Sequence, residues 1–431
     1  MKSIGIGLAG FGTVGSGVWK NLTENAALIS GRLGVQLDVK KIAVRDLSKK
    51  REVSAPAELF TSDWREVVAD SNVQIVVELM GGIDEAKELV VAAIDAGKIV
   101  VTGNKALIAE QGEEIFQLAR EKKIPIFYEA AVAGGIPIIK ALRESFVGNR
   151  FESIQGILNG TSNYILTRME EGGLDFESAL AEAQKLGYAE ADPALDVNGW
   201  DAAHKAIIIA SLAFGKWVPA NRAYVAGIEG VTSADIRFAK QLGFRIKLLG
   251  TIRAREDKSV EVRVCPTLIP QGHVLASVGG VFNAIWLNGD VVGESLFYGR
   301  GAGQDPTASS VLSDLADAAT ALVNPRRCFG FTGFDLYREY VPVEQAVTQF
   351  YLRLSVEDRP GVLAQIAGLL GDGEIGISSV IQPEGKEGDA LPLILILHYA
   401  PHGKVVEALK KIERLDCVKA KPVLMHVEEF E

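Results

Sequence analysis

Residues 206–214 read Ala-Ile-Ile-Ile-Ala-Ser-Leu-Ala-Phe. A run this apolar on every helical face predicts a buried helix. Just upstream, residues 188–205 read Tyr-Ala-Glu-Ala-Asp-Pro-Ala-Leu-Asp-Val-Asn-Gly-Trp-Asp-Ala-Ala-His-Lys, a Gly/Pro-interrupted loop crowded with carboxylates. Asn198 is placed to cap the helix. Asp201 falls in the first turn, where the helix dipole favours negative charge. Lys205 stands four residues on, on the same face. By itself such a pair is commonly a surface ion pair worth ~0.2–0.5 kcal/mol. A lysine at the entrance of a buried helix therefore needs the rest of the chain to explain it.

The N-terminal third alternates short apolar strands with helical periodicity. Strands are predicted at Ser3–Ala9, Val39–Val44, Gln74–Leu79, Lys98–Thr102 and Ile124–Glu129. Between the first strand and a helical pattern stands Gly10-Phe11-Gly12-Thr13-Val14-Gly15. This Gly-x-Gly-x-x-Gly turn, in strand-to-helix context, predicts dinucleotide binding. Gly10 permits the tight turn, Gly12 the approach of a pyrophosphate, and Gly15 close helix–strand packing. The second strand ends in Arg45 and then Asp46, with Lys49 and Lys50 close behind. Arg45 suits a 2′-phosphate, so NADP(H) is favoured over NAD(H); the alternative is a solvated Arg45 with Asp46 on the ribose. Lys105 follows another strand end, where open α/β sheets bind ligands, and a plain loop lysine is an equal reading.

Beyond Pro137 the alternation changes character. A strand at Phe151–Leu158 is closed by Asn159-Gly160-Thr161-Ser162-Asn163, and helices follow to about Leu186. Hairpins are predicted around residues 256–258 and at Asn288-Gly289. This is an α+β pattern on one extended sheet. Gly299-Arg300-Gly301-Ala302-Gly303 ends it, and Asp305 with Pro306 is read as the start of a helix over 305–323 that returns to the first domain. The glycine loop, Gly303 included, is either a hinge or a neighbour of the cofactor. From Phe350 a βαββαβ pattern begins, with Asp358-Arg359-Pro360-Gly361-Val362-Leu363 in its first loop.

Composition narrows the options. The chain has 431 residues and a formal charge of −10, which argues against nucleic acid or an anionic membrane as partner. Its three cysteines, Cys265, Cys328 and Cys417, are far apart, so neither a disulfide framework nor a thiolate zinc site is expected. A reducing cytoplasm fits. The longest apolar runs are far too short to span a bilayer. A semialdehyde dehydrogenase working through a cysteine nucleophile is disfavoured by the same sparse cysteines. A cofactor- and amino-acid-sensing regulator without catalysis is the remote non-enzyme reading.

Taken together, Gly10–Gly15, Thr102-Gly103-Asn104-Lys105, Glu129–Pro137, Gly156–Tyr164, Gly187–Pro193 and Asp201–Lys205 resemble homoserine dehydrogenases in kind and in order. The resemblance implies NAD(P)-dependent interconversion of L-aspartate 4-semialdehyde and L-homoserine, on the route to threonine and methionine. It implies Lys205 as proton-transfer residue with Asp201 as partner, Glu190 as substrate-binding residue, and Lys105 as cofactor contact. It implies a monovalent-cation (Na+) site at Glu129 and the backbone of Val132, Gly134 and Ile136. The C-terminal pattern is similar to an ACT domain, which implies an amino-acid effector such as threonine and a homodimer or homotetramer. The expected division is a Rossmann-type dinucleotide-binding domain over 1–136, completed by 305–323. An α+β catalytic and dimerisation domain over 137–304, a linker over 324–349 and the ACT domain over 350–431 complete it.

Overall fold

The computed structural model describes residues 2–323, 331, 333–383 and 390–430. They form two compact units. One comprises residues 2–151, 207–220, 289–323, 331 and 333–337, the other residues 152–206, 221–288, 338–383 and 390–430.

In the first unit six strands make one sheet: β1 (Lys2–Ala9), β2 (Val35–Ala43), β3 (Phe60–Thr61), β4 (Ile75–Glu78), β5 (Ile99–Thr102) and β6 (Ile126–Phe127). Their order is β3-β2-β1-β4-β5-β6, and every pairing is parallel. The order reverses between β1 and β4, the switch point at which such sheets bind ligands. Ile6, Leu8, Ile75, Val77 and Val101 fill the core, joined by Val311, Leu315 and Ala319 of the helix Gln304–Val323. Burial on both faces explains why β1 beyond Ser3, β4 and β5 are apolar without alternation, whereas half-exposed β2 carries Gln36, Asp38, Lys40 and Lys41. The returning helix begins one residue earlier than the sequence suggests, at Gln304. Asp305 therefore lies in its first turn rather than at the cap. Pro306 is tolerated there because N–H groups of the first turn have no intrahelical acceptor. Of the expected linker, residues 324–330 and 332, with Cys328 among them, lie outside the described residues.

The second unit carries β7 (Phe151–Ile157), β8 (Tyr224–Val225), β9 (Phe244–Ala254), β10 (Val260–Pro270) and β11 (Phe282–Gly289). Next in sequence, β12 (Gly293–Arg300) belongs to the first unit. The β9–β10 hairpin is antiparallel, closing near Val260 and Ala254. The turn expected at Asn288-Gly289 is displaced. Both residues stay in β11, because Asn288 donates to Glu152 Oε2 at 2.9 Å, and the chain reverses at residues 290–292 instead.

The C-terminal segment has the expected βαββαβ order: β13 (Val347–Glu357), a helix Val362–Asp372, β14 (Ile377–Ile381), β15 (Ala390–Pro401), a helix His402–Ile412, and β16 (Val418–Val427). Leu352, Leu354, Ile366, Leu395 and Val405 form its core. Across the second unit the strands run β11-β7-β9-β10-β16-β13-β15-β14, with β8 beside β10. The segment thus continues the middle sheet: β16 pairs parallel with β10 at Thr267↔His426 and Leu268↔Val427. The seam is charged and buried. Arg263 of β10 pairs with Glu261 and Glu428, and Glu428 also holds Arg253 at 2.6 Å. An arginine enclosed this way needs both carboxylates, since one unpaired buried charge is strongly destabilising.

Candidate active site

The glycine turn opens the first site. Gly10 has φ +104, and a Cβ there would stand 2.3 Å from the Leu79 carbonyl. At Gly15 a Cβ would strike the Gly10 carbonyl at 2.2 Å, whereas at Gly12 it would meet nothing within 4 Å. Gly12 is also the cap of the helix Thr13–Glu24 and supplies no side-chain cap, so the first N–H groups of that helix remain available to an anion. A cleft of about 680 Å³ lies over this turn. It is lined by Gly10, Phe11, Gly12 and Thr13 at one side, and by Arg45, Asp46, Lys49, Lys50 and Arg51 at the other. Arg45 is exposed and 3.9 Å from Glu85. These residues fit a dinucleotide: donors for a pyrophosphate at the turn, cations beyond the second strand.

Val14 packs into the core and Gly15 backs Gly10, so neither lines the cleft. Gln304, not its neighbour Gly303, contributes to the lining. Lys105 is the first residue of the helix Lys105–Lys122, half-buried behind the cap Asn104 and not among the lining residues. A residue missed from sequence organises the strand ends here. Buried Glu78 accepts from Thr102 Oγ1 at 2.6 Å and from the Met80 N–H at 2.8 Å. Its only sequence signal is an acid ending an apolar strand.

Glu129 opens a short 3-10 turn at the end of β6. Its two carboxyl oxygens accept from the Ile139 and Lys140 N–H groups at 2.8 and 2.7 Å. Burial nevertheless pushes its carboxyl up to about 7. Asp314 accepts the Glu129 N–H and is pushed well above the usual range, by burial first and by Glu129 second. Ala133 and Gly134 follow at φ 55 and 53, and the Ile136 N–H bonds the Ala133 carbonyl at 3.0 Å, so the backbone turns on itself here, buried except at Gly135. Ser310 donates to the Gly134 carbonyl at 2.5 Å. Among the described residues no cluster of three or more His, Cys, Asp or Glu side chains is set to hold a metal. A cation here would rest on carbonyl oxygens with Glu129 as the charged member.

The second unit holds the lysine. The helix Trp200–Phe214 follows a short turn Ala194–Val197, with Gly199 at φ +89 between them. Asn198 accepts from the Trp200 N–H at 3.1 Å, a local cap set one residue further from the helix than the sequence suggests. Lys205 Nζ donates to Asp201 Oδ2 at 2.7 Å and to the Leu158 carbonyl at 2.7 Å. The two side chains are only 10% and 11% exposed, so this is no surface pair. An ammonium has three N–H donors, and two are committed.

Around the pair the Asn159–Asn163 segment carries what sequence reasoning left unassigned. Asn159 Nδ2 donates to Asp201 Oδ2 at 2.8 Å and to Asp196 Oδ1 at 2.6 Å. Its Oδ1 accepts from the Ser162 N–H, capping the helix Gly160–Gly172. Burial holds the Asp196 carboxyl above its usual range, opposed by the Asn159 bond and reinforced by Asp201. Asn283 donates to the same Leu158 carbonyl at 2.9 Å. Asn163 donates to the carbonyls of Val278, Gly280 and Phe282, and Lys247 to Val278 at 2.6 Å, which fixes the segment leading to Asn283. Burial pushes the Lys247 ammonium down to about 8. Glu190 stands exposed on the acidic loop, its carbonyl accepting from Gln184.

Known proteins resemble this chain over nearly its whole length. Residues 137–316 match the family model described as homoserine dehydrogenase, and residues 10–129 the model described as homoserine dehydrogenase, NAD binding domain. A homoserine dehydrogenase of Pseudomonas aeruginosa is 46% identical, with 100% of each chain covered. One from Neisseria gonorrhoeae is 45% identical, covering 99% of this chain and 98% of the other. A crystal structure of a homoserine dehydrogenase from Thiobacillus denitrificans superposes with a TM-score of 0.94 at 45% identity, covering 100% of this chain and 99% of the other. A hyperthermophilic archaeal homoserine dehydrogenase in complex with NADPH gives 0.63 at 29% identity, covering 75% and 99%.

Proposed function

The chain belongs to the homoserine dehydrogenase family, and on that premise we propose that Lys205, charged and oriented by Asp201, carries the proton of its reaction. The protein is an oxidoreductase with homoserine dehydrogenase activity, interconverting L-aspartate 4-semialdehyde and L-homoserine with NAD(P)(H). A bound nicotinamide supplies the hydride. What this chain must add is a proton for the aldehyde oxygen, and a base for that proton in reverse. The single observation behind this reading is the buried Lys205 ammonium, held by Asp201 and the Leu158 carbonyl with one N–H left over. In this reading Glu190 receives the substrate ammonium. The test is steady-state kinetics of Lys205→Ala. Turnover should fall by about 10²–10⁴-fold with the fold intact; unchanged turnover would remove Lys205 from the chemistry.

NADP(H) is the preferred cofactor in this reading, supported by Arg45, Lys49 and Lys50 at the cleft and by the archaeal relative solved with NADPH. Gly10 to Thr13 would hold the pyrophosphate, and Lys105 would reach the nicotinamide end. A monovalent cation, with Na+ as the leading choice, would take the Glu129–Ile136 turn. The C-terminal βαββαβ module is read as an ACT domain responding to an amino acid such as threonine, in a homodimer or homotetramer. The strand order β16-β13-β15-β14 supports that reading. No helix among the described residues is long and apolar enough to cross a membrane.

A further inference from the structure

We propose that Asn159 is the positioning residue of the proton-transfer pair: one amide nitrogen, bonded to Asp196 and Asp201 together, aims Asp201 at Lys205 and ties that pair to the acidic loop. The inference rests on the reading of Lys205 as the proton carrier and extends it to a residue outside the Asp201–Lys205 spacing.

The geometry permits only one orientation of this amide. Its nitrogen faces carboxylate oxygens at 2.6 and 2.8 Å, and its oxygen faces the Ser162 N–H at 2.7 Å. A flipped amide would set its oxygen against two carboxylates and its N–H₂ against an N–H. Both Nδ2 hydrogens and the carbonyl are therefore used, and the side chain has no rotational freedom left. Asn159 is 4% exposed, so water does not compete for these bonds. Its backbone follows Leu158, whose carbonyl is the second acceptor for Lys205. One dipeptide, Leu158-Asn159, thus holds the lysine directly and its counter-ion through a side chain.

The arrangement also solves an electrostatic problem. Asp196 and Asp201 share one partner, and two carboxylates so placed repel when both are ionised. A neutral donor between them offsets that repulsion without adding a charge. It bonds the same Asp201 oxygen that accepts from Lys205, so it fixes where that oxygen stands while leaving the ammonium paired. An arginine or lysine there would compete with Lys205 for Asp201. A carboxylate would add a third like charge. Asparagine is the side chain that caps the following helix with its oxygen and clamps both acids with its nitrogen.

Two substitutions separate the clamp from the cap. Asn159→Ser and Asn159→Asp both retain an oxygen able to accept from Ser162, since serine and aspartate are good N-caps. Both lose the two N–H bonds. Lys205→Ala serves as the control, with melting temperatures recorded for all three. The expected result is a fall in kcat of about tenfold to a hundredfold for Asn159→Ser, the size of effect that misplacing a catalytic group produces. The KM for the nicotinamide cofactor should change less than twofold, and the solvent deuterium effect on kcat should increase. In Asn159→Asp the pH limb of kcat should also move upward relative to Asn159→Ser, because a third carboxylate makes its neighbours harder to ionise. A kcat within twofold of the parent for Asn159→Ser, with Lys205→Ala inactive, overturns the positioning role alone. A lower kcat that merely tracks a lower melting temperature, with no change in the deuterium effect, overturns it equally by showing a structural role. Normal turnover in Lys205→Ala means the proton-carrier reading has failed, and the inference fails with it.

Discussion

Lys205 Nζ donates to the Leu158 carbonyl at 2.7 Å, joining residues 47 positions apart in sequence. Asn283 bonds the same oxygen at 2.9 Å, so the carbonyl is fixed from two sides. Asn283→Ala should lower kcat by roughly tenfold, through looser placement of the ammonium. The stability cost should be small, about 1 kcal/mol for one hydrogen bond. Parallel kinetics and thermal denaturation check this; unchanged kcat would mean the carbonyl holds its position without Asn283.

Removing the counter-ion is a harsher change. Asp201→Ala leaves the Lys205 ammonium buried without its carboxylate, a loss of roughly 3–5 kcal/mol for broken buried pairs. Asp201→Asn keeps an acceptor oxygen and should cost less. Chemical denaturation should rank Asp201→Ala as the less stable of the two. Equal stabilities would show that water or another group reaches the ammonium.

These relationships mark where the sequence was legible and where it was not. The glycine turn and the Asp201–Lys205 spacing are local, so residue order alone exposes them. β1, β4 and β5 are legible because burial on both faces makes them continuously apolar. Asn159 and Asn283 were not assigned roles, because an asparagine's role depends on what long-range folding brings to its amide. Glu129 was assigned through family resemblance, yet its contact with Asp314 across 185 positions has no sequence signature. The Asn288-Gly289 turn was misplaced because the dipeptide's local preference for reversal lost to the Asn288–Glu152 bond across strands. The parallel pairing of β10 with β16 was also invisible, since two strands far apart in sequence carry no mark of partnership.

At the cofactor cleft, Arg45→Ala should discriminate between cofactors. Arg45 is largely exposed and only loosely paired with Glu85, so its loss should leave the fold unaffected. The KM for NADPH should rise by about tenfold, one charge-assisted contact's worth, while that for NADH stays within twofold. Equal effects on both cofactors would assign Arg45 to the shared part of the dinucleotide and shift the discrimination elsewhere.

Glu129 makes stability depend on pH in a defined direction. Its folded carboxyl titrates at about 7 against an ordinary 4.5, so the native state binds the proton more tightly than the unfolded chain. Stability from this group is complete below pH 4.5, declines as pH rises, and is gone above about 7. Glu129→Gln should flatten the dependence of melting temperature on pH in that interval. If a cation occupies the turn, NaCl should raise the melting temperature of the parent at pH 8 more than that of Glu129→Gln, at matched ionic strength. No differential response to Na+ would argue against the cation site.

The seam between β10 and the C-terminal module should respond to acid in the opposite sense. His402 Nδ1 and His426 Nε2 lie 3.3 Å apart with their rings stacked, and both are buried. Burial pushes both below the usual 6.5, and for His426 the charge of Arg263 adds to the effect. The unfolded chain therefore takes up protons that the native state refuses. Stability from the pair is complete above pH 6.5 and is lost as pH falls below it. The melting temperature of the parent should drop between pH 6.5 and 5, and His426→Phe, which packs against Phe350 without titrating, should show a shallower drop. Because β16 shares the sheet with β10, the loss should appear in the protection of amides on both strands, measured by hydrogen exchange. Exposure of β13 to β16 alone, with β10 still protected, would show that the two parts of the sheet open independently.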